Sequence, residues 1–334
     1  MVSDNELFQH IKHAIEQRKS FADKTNAFRL FNGFYEGCPG MVIDRYGETL
    51  VILEHGQPGE YREIIQRISQ WAMETLENIT SIFLKQRQSS DQKLVNGILI
   101  EGSDLRQSIV EFDVNYAVDL QINQDASFYL DTRNLRRWLL DHSDGLRVLN
   151  TFAYTGSLGA AAGMGNASMV VQTDLNKSFL EIAKKSWDMN NLDPGKSKII
   201  TGDFFRVTGK MRHETRLFDC VILDPPYFST TESGRVDLQN NFLQLVNKVR
   251  PLVAHQGWLI LINNALFLSG EAFMQEINTI CSSPYLFFEK IIPVPQDVTG
   301  YPNTILDTPP VNPAPFNHPT KIAILQAFRK DKRK

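Results

Sequence analysis

The chain has 334 residues, 42% of them apolar, which is enough for two domains with separate cores. Lysine and arginine number 35 against 38 acids, a net charge of −3, so the strongly basic total of many nucleic-acid binders is missing. No apolar run approaches the ~18 residues of a membrane span, and the start MVSDNELFQHIKHAIEQRKS has no signal core, so a cytosolic protein is expected. Cys38, Cys220 and Cys281 show neither CxxC nor zinc spacing and read as reduced, buried thiols.

The predicted elements fall into two grammars. Residues 4–18 read as an amphipathic helix capped by Ser3 or Asp4. Strands follow over 27–33 and 41–54, with the turn EGCPG between them. Ile64, Ile65, Ile68, Trp71, Ala72 and Leu76 have helical spacing within 59–78. Further strands are expected near 80–87, 97–101 and 108–119. Residues 1–124 therefore read as a small α+β domain, a candidate for substrate or RNA binding.

From 125 onward, strands and helices alternate, the pattern of a parallel sheet. Strands are predicted at 147–152, 169–174, 196–203, 218–224 and 257–263. Helices are predicted at 155–165, 176–190, 236–254 and 269–281. Two late strands, near 284–292 and 320–328, flank a long Pro-rich loop whose middle is expected to be functional. Two basic clusters stand out: Arg133, Arg136 and Arg137, and the tail Arg329-Lys330-Asp331-Lys332-Arg333-Lys334. A solvated face or a frayed terminus is the plainer account of each.

Ligands of open α/β sheets bind beyond the carboxyl ends of the strands. The first strand of this series ends in Asn150, then Phe152, Tyr154 and Gly156, where glycine allows a tight turn and a close ligand approach. The second ends in Asp174-Leu175-Asn176, whose acid suits ribose hydroxyls. The third ends in Asp203-Phe204, which suits an adenine amine and its ring. The fourth ends in Asp224-Pro225-Pro226-Tyr227. Singly, each acid is equally a turn residue or a helix cap. Together, without GxGxxG or GxxxxGK[ST], they point to a nucleoside cofactor with little phosphate contact, S-adenosylmethionine.

Three stretches carry a resemblance: EGCPGMVIDRYGETLVI (36–52), FYLDTRNLRRWL (128–139) and VLNTFAYTGSLGAAA (148–162). The C-terminal part resembles a class I S-adenosylmethionine-dependent methyltransferase. Nearly the whole chain is similar to the large-subunit ribosomal RNA methyltransferase family that includes cytosine-5 enzymes with a PUA domain. The resemblance implies the cofactor, the reaction class and a two-domain plan, and it places Phe128, Tyr129 and Arg133 on the approach to the methionine end.

The chain also departs from that family. A PUA domain is not expected ahead of residue 27, and Ala126-Ser127 stands where the family usually has Thr-Gly. Cytosine-5 transfer needs a thiolate that adds to the ring, yet the loops DPPYFS and NNALFLS have no cysteine. Cys220 lies inside its strand and reads as core filling. Asp224-Pro-Pro-Tyr227 resembles instead the motif of enzymes that methylate nitrogen on planar bases or amides. There Asp224 and a backbone carbonyl accept the amine hydrogens, while Tyr227 stacks on a flipped base. Asn263 and Asn264 resemble the Ser-Asn-Asn of a related guanine ring-nitrogen methyltransferase and are candidate base readers, or plain turn formers. Lys85 and Arg87 are candidate phosphate contacts or an exposed strand edge, and His318 a substrate contact or a loop histidine.

The expected protein is α/β: a Rossmann-like methyltransferase domain over 125–334 with a mostly parallel seven-stranded sheet, preceded by the small domain. Its expected reaction is methylation of a base nitrogen in ribosomal RNA. Cytosine-5 transfer, a protein or small-molecule acceptor, and a non-enzymatic RNA-binding factor stay open as alternatives. So does a homodimer as a partner state.

Overall fold

The computed structural model describes residues 4–18 and 24–333, so the expected cap Ser3 lies outside the described residues. Contacts divide the chain into two compact units, residues 1–131 with 295–309, and 132–294 with 310–334. The contact boundary at 131/132 falls a few residues beyond the expected 124/125, and the internal stretch 295–309 groups with the first unit.

In the first unit, α1 (Asp4–Glu16) precedes β1 (Ala27–Asn32), β2 (Met41–Tyr46) and β3 (Thr49–Glu54). Then come α2 (Arg62–Thr75), β4 (Ser81–Gln86), α3 (Gln92–Asn96) and β5 (Ile98–Glu101). The sheet order is β1-β2-β3-β4-β5, antiparallel except for the β3–β4 pair, which α2 joins as a crossover. Apolar faces of both helices close one core with Ile43, Ile52 and Ile82 of the sheet. The single strand expected over 108–119 is instead a hairpin of β6 (Ser108–Glu111) and β7 (Val114–Ala117). Phe112 and Asp113, both at positive φ, make its two-residue turn.

Polar anchors explain why residues 125–131 and 295–309 belong here. Arg18 and Glu36 form a fully buried bidentate pair, 3.0 Å on each arm, and Arg18 also donates to the Asp297 carbonyl at 2.9 Å. Asp297 accepts the Arg29 amide at 3.0 Å, and Asn32 donates to the Val298 carbonyl at 2.7 Å. Tyr46 donates its hydroxyl to the Phe128 carbonyl at 2.9 Å. Ser127, at φ 58°, fills the position where the resembling family carries glycine, and its hydroxyl accepts the Asp119 amide.

The second unit opens with α4 (Arg133–His142) and β8 (Arg147–Thr151). There follow α5 (Ser157–Met164), β9 (Met169–Asp174), α6 (Lys177–Met189), β10 (Ser197–Thr201), α7 (Phe204–His213) and β11 (Phe218–Leu223). The expected helix over 236–254 is shorter: a hairpin, β12 (Phe228–Thr231) and β13 (Gly234–Asp237), precedes α8 (Phe242–Val249). Asp237 turns the chain between them by accepting the amides of Gln239 and Asn240. β14 (Val253–Asn263), α9 (Gly270–Cys281), β15 (Leu286–Ile291) and β16 (Lys321–Ala327) complete it.

These strands form one seven-stranded sheet, order β10-β9-β8-β11-β14-β16-β15, in which only β16 runs antiparallel to its neighbours. Alternate side chains feed opposite cores. Leu149, Val221, Leu259 and Leu261 pack with α7, α8 and α9, while Val148, Val170, Ile222 and Ile260 pack with α4, α5 and α6. The result is the Rossmann-like three-layer α/β fold that the strand pattern predicted. The chain leaves β8 toward β9 on one side and β11 on the other, so the switch point lies beside the ends of β8 and β11. No helix among the described residues is long and apolar enough to cross a membrane.

Candidate active site

The carboxyl ends of β8, β9 and β11 gather most of the expected residues. Ile222 pairs with Asn150 and Leu223 with Thr151, so Asp224 emerges next to the loop that follows β8. That loop is strained: Phe152, Tyr154 and Gly156 all lie at positive φ, 53°, 50° and 76°. Bulky side chains in the left-handed region are uncommon, and such strain clusters where ligands are clamped. Asp174, closing β9, holds the loop by accepting the Tyr154 amide at 2.8 Å, and it accepts the Asn176 amide at 2.9 Å. Burial pushes its carboxyl above the usual range, against the pull of the amides of Asn176, Tyr154 and Leu175.

Gly156 also starts α5, which approaches the sheet closely. A Cβ there would lie 2.3 Å from the Ala183 Cβ and 2.7 Å from the Gln172 Oε1. Asn150 is buried and donates to that same Gln172 oxygen. Leu175 stands 60% exposed, and Asn176 caps α6 through the Ser178 amide. Asp203 caps α7 by accepting the Arg206 amide at 3.0 Å and takes the Thr231 hydroxyl on its other oxygen. Phe204 is buried, its ring stacked on Phe152 at 4.5 Å and 26°.

After β11, Asp224 is half-buried, Pro225 buried, Pro226 exposed and Tyr227 49% exposed. The tyrosine is fixed at both ends: its hydroxyl donates to Gln239 at 3.1 Å and its carbonyl accepts the Leu238 amide. The hairpin β12–β13 continues this wall, with Phe228 53% exposed and the Arg235 guanidinium 4.9 Å from its ring centre. Neither Phe228 nor Arg235 was singled out in the sequence. The β-branched run before Glu-Ser-Gly is the signal that marks their hairpin.

Other expected contacts lie elsewhere or are already engaged. Lys85 is corrected from a phosphate contact to a buried anchor: its ammonium donates to the carbonyls of Asn96, Asn123 and Asp125 at 2.7, 2.7 and 3.0 Å. Arg87 is tied to Asp125 at 3.0 Å and to the Gln124 carbonyl. Of the two readings of Asn263, base reader or turn former, the bonds match the turn former: it is fully buried, accepts the Ala265 amide and donates to the Leu238 carbonyl. Asn264 next to it is exposed. His318 accepts the Thr320 amide at 3.0 Å, a local loop bond.

Phe128 and Tyr129 belong to the first unit, Phe128 buried against Tyr116 and Tyr129 donating to Asp125 at 3.2 Å. Arg133 and Arg136 are buried in α4 rather than on a solvated face, and Arg136 donates to Thr132 at 2.7 Å. Cys220 is fully buried in β11, and burial pushes its thiol far above the ordinary range.

The chain has relatives among known proteins. A Yersinia pseudotuberculosis ribosomal RNA large subunit methyltransferase I is 32% identical over 213 residues, 63% of this chain and 54% of the relative. The chain thus spans about half the length of that curated relative. In structure, it is similar to an S-adenosylmethionine-dependent methyltransferase from Streptococcus mutans, with a TM-score of 0.82, 21% identity, and 98% and 82% of the two chains covered. It is also similar to the M. jannaschii tRNA m1G37 methyltransferase, TM-score 0.57, 16% identity, covering 97% and 80%. The model of the S-adenosylmethionine-dependent methyltransferase family matches residues 53–304, most of the chain. The chain belongs to that family, the S-adenosylmethionine-dependent methyltransferases.

Proposed function

We propose that the protein methylates a nitrogen of a base in large-subunit ribosomal RNA, and that Asp224, Pro225, Pro226 and Tyr227 orient the acceptor. The observation that carries this reading is a half-buried carboxylate at the end of β11, followed by two prolines and a half-exposed, doubly anchored tyrosine. The prolines add no N–H that would compete for Asp224 or the neighbouring carbonyls. Tyr227 offers a flipped base a fixed stacking face.

The residues at the neighbouring strand ends fit the cofactor of the family. Asp174 spends one lone pair on each of two loop amides and keeps acceptor capacity for ribose hydroxyls. Asp203 stands at the next strand end, with Phe204 packed on Phe152 behind the strained loop. Bound S-adenosylmethionine supplies an electrophilic methyl on a sulfonium. The chain's share is then to exclude water, hold the acceptor nitrogen in line and accept its hydrogen bonds, with positioning as the main source of rate.

A cytosine-5 mechanism is disfavoured by where the thiols lie. Cys220 is sealed inside β11, Cys38 is buried in the first unit, and Cys281 ends α9 at the amino edge of the sheet. The name of the Yersinia relative supports an RNA acceptor. The test is transfer of tritiated methyl to RNA from cells lacking the protein, with the modified nucleoside identified by chromatography. A base methylated on nitrogen is expected. A 5-methylcytosine product, lost on replacing one cysteine by serine, would overturn the reading.

A further inference from the structure

The edge of the second unit opposite the candidate site carries a different chemistry. Three adjoining grooves run along the amino ends of the parallel strands. Arg147, Lys198, Arg216 and Arg333 line the first. Arg212 and His213 line the second, which shares Arg216 and Arg333 with the first. The third, reached through Arg329 and Pro251, adds Arg250 and Lys330 and holds Asp331, the one acid lining these grooves among the described residues.

In a chain with more acids than bases overall, this is a strong segregation of charge. Part of it is neutralised internally: Arg147 pairs with Asp219 at 2.9 Å, Arg216 with Glu214 at 2.6 Å, and Asp331 serves both Arg329 and Arg333. Lys198, Arg212, Arg250 and Lys330 form no such pair among the described residues.

Residues 329–333 are not the frayed terminus expected from their composition. Arg329 donates to the carbonyls of Pro251 and Val253 at 2.9 and 3.1 Å, and the Arg333 carbonyl accepts the His255 amide at 2.7 Å. The Arg329 and Arg333 guanidinium groups are thus held on the groove wall. Aromatic rings adjoin them. Tyr285 and Phe328 line the third groove, and Phe287, half-exposed on the edge strand β15, meets Phe328 at 5.3 Å.

Cations along adjoining grooves, with exposed rings beside them, match a single-stranded polyanion whose bases stack. We infer that this edge binds the backbone of an RNA strand, with phosphates along the basic grooves and bases on Tyr285 and Phe287. The inference rests on the RNA reading above only for the nature of the polyanion. The five-residue β8 separates this edge from the candidate site by about 16 Å, at ~3.3 Å per residue. The edge therefore grips RNA at a distance from the acceptor base, and it should govern KM for long RNA rather than kcat.

The test is fluorescence anisotropy with a fluorescein-labelled single-stranded RNA of about 20 nucleotides, at sodium chloride from about 50 to 300 mM. The variant Lys198→Glu/Arg212→Glu/Lys330→Glu alters only exposed side chains that make no ion pair among the described residues. It should bind at least about tenfold more weakly, and its salt slope should be shallower by about 2, near 0.7 per lost contact. Tyr285→Ala/Phe287→Ala should weaken binding at an unchanged slope. Unfolding curves and cofactor titrations should match wild type for both.

Wild-type affinity and slope in the triple variant would overturn the inference. So would an equal loss in the control Lys93→Glu/Lys184→Glu/Lys185→Glu, or a loss confined to anionic lipid vesicles. Methyl transfer to RNA, measured in parallel on the wild type, separates the two readings. Transfer with an indifferent triple variant sinks the edge alone, while edge-dependent binding without transfer sinks only the proposed function.

Discussion

Replacing Asp174 by asparagine probes the cofactor side of the site. The carboxylate now serves two loop amides, at 2.8 and 2.9 Å from Tyr154 and Asn176. An amide keeps one acceptor oxygen, so one of those N–H groups would face an NH2. A hydrogen bond to a charged acceptor contributes about 1.5–3 kcal/mol. Part of that loss is offset, because burial disfavours the charged carboxylate and an amide escapes this penalty.

Folding stability should therefore drop by only about 1 kcal/mol, or about 2–4 °C in Tm. Cofactor binding gains no such offset, since the strained loop loosens and the ribose acceptor is halved. The Kd for S-adenosylmethionine should rise about 10- to 100-fold, at ~1.4 kcal/mol per tenfold. Because burial raises the Asp174 pKa, wild-type affinity should also fall on acidification at a pH above the ordinary carboxylate range. Isothermal titration across pH, with thermal unfolding alongside, checks both statements. A folded Asp174→Asn protein that binds within about twofold of wild type would refute the reasoning.

Other consequences follow from single residues. Gly156→Ala places a Cβ 2.3 Å from the Ala183 Cβ at a φ of 76°, so α5 must move off α6; thermal unfolding should show a loss above ~2 kcal/mol, and an unchanged Tm would contradict it. Lys85→Met strands three carbonyls and should cost about 2–4 kcal/mol in a denaturant titration, while RNA affinity of the folded protein stays at wild type. Burial pushes the Glu276 carboxyl up from 4.5 to about 7, against the pull of Lys321. The folded state thus holds the proton more tightly, and this group's contribution to stability falls as pH rises from about 4.5 to 7. Urea midpoints at pH 5 and 7.5 should show Glu276→Gln gaining on wild type at the higher pH; parallel profiles would be the contrary result.

The sheet was legible because its strands are short apolar runs that end in acids or turn residues. Val148 to Thr151 and Val221 to Asp224 announce both their burial and their ends. Buried polar residues were not legible. Lys85, Arg136 and Asn263 look like surface or site groups in sequence, and only the carbonyls and amides that surround them reveal structural roles. The helix expected from 236 overlaps the end of β13 because Val236 and Leu238 mimic the start of an apolar helical face. The return of 295–309 to the first unit depends on bonds from Arg18, Arg29 and Asn32 that span more than 260 residues. No local pattern encodes bonds of that range.

The most direct test of the central claim compares wild type with Asp224→Ala in tritiated methyl transfer to RNA, with cofactor affinity measured on the same preparations. Loss of an orienting acceptor should lower kcat by about 100-fold or more. Cofactor binding should stay within about threefold of wild type, and the remaining product should be a base methylated on nitrogen. Near-wild-type turnover in the variant would contradict the account, because Asp224 would then have no part in presenting the acceptor.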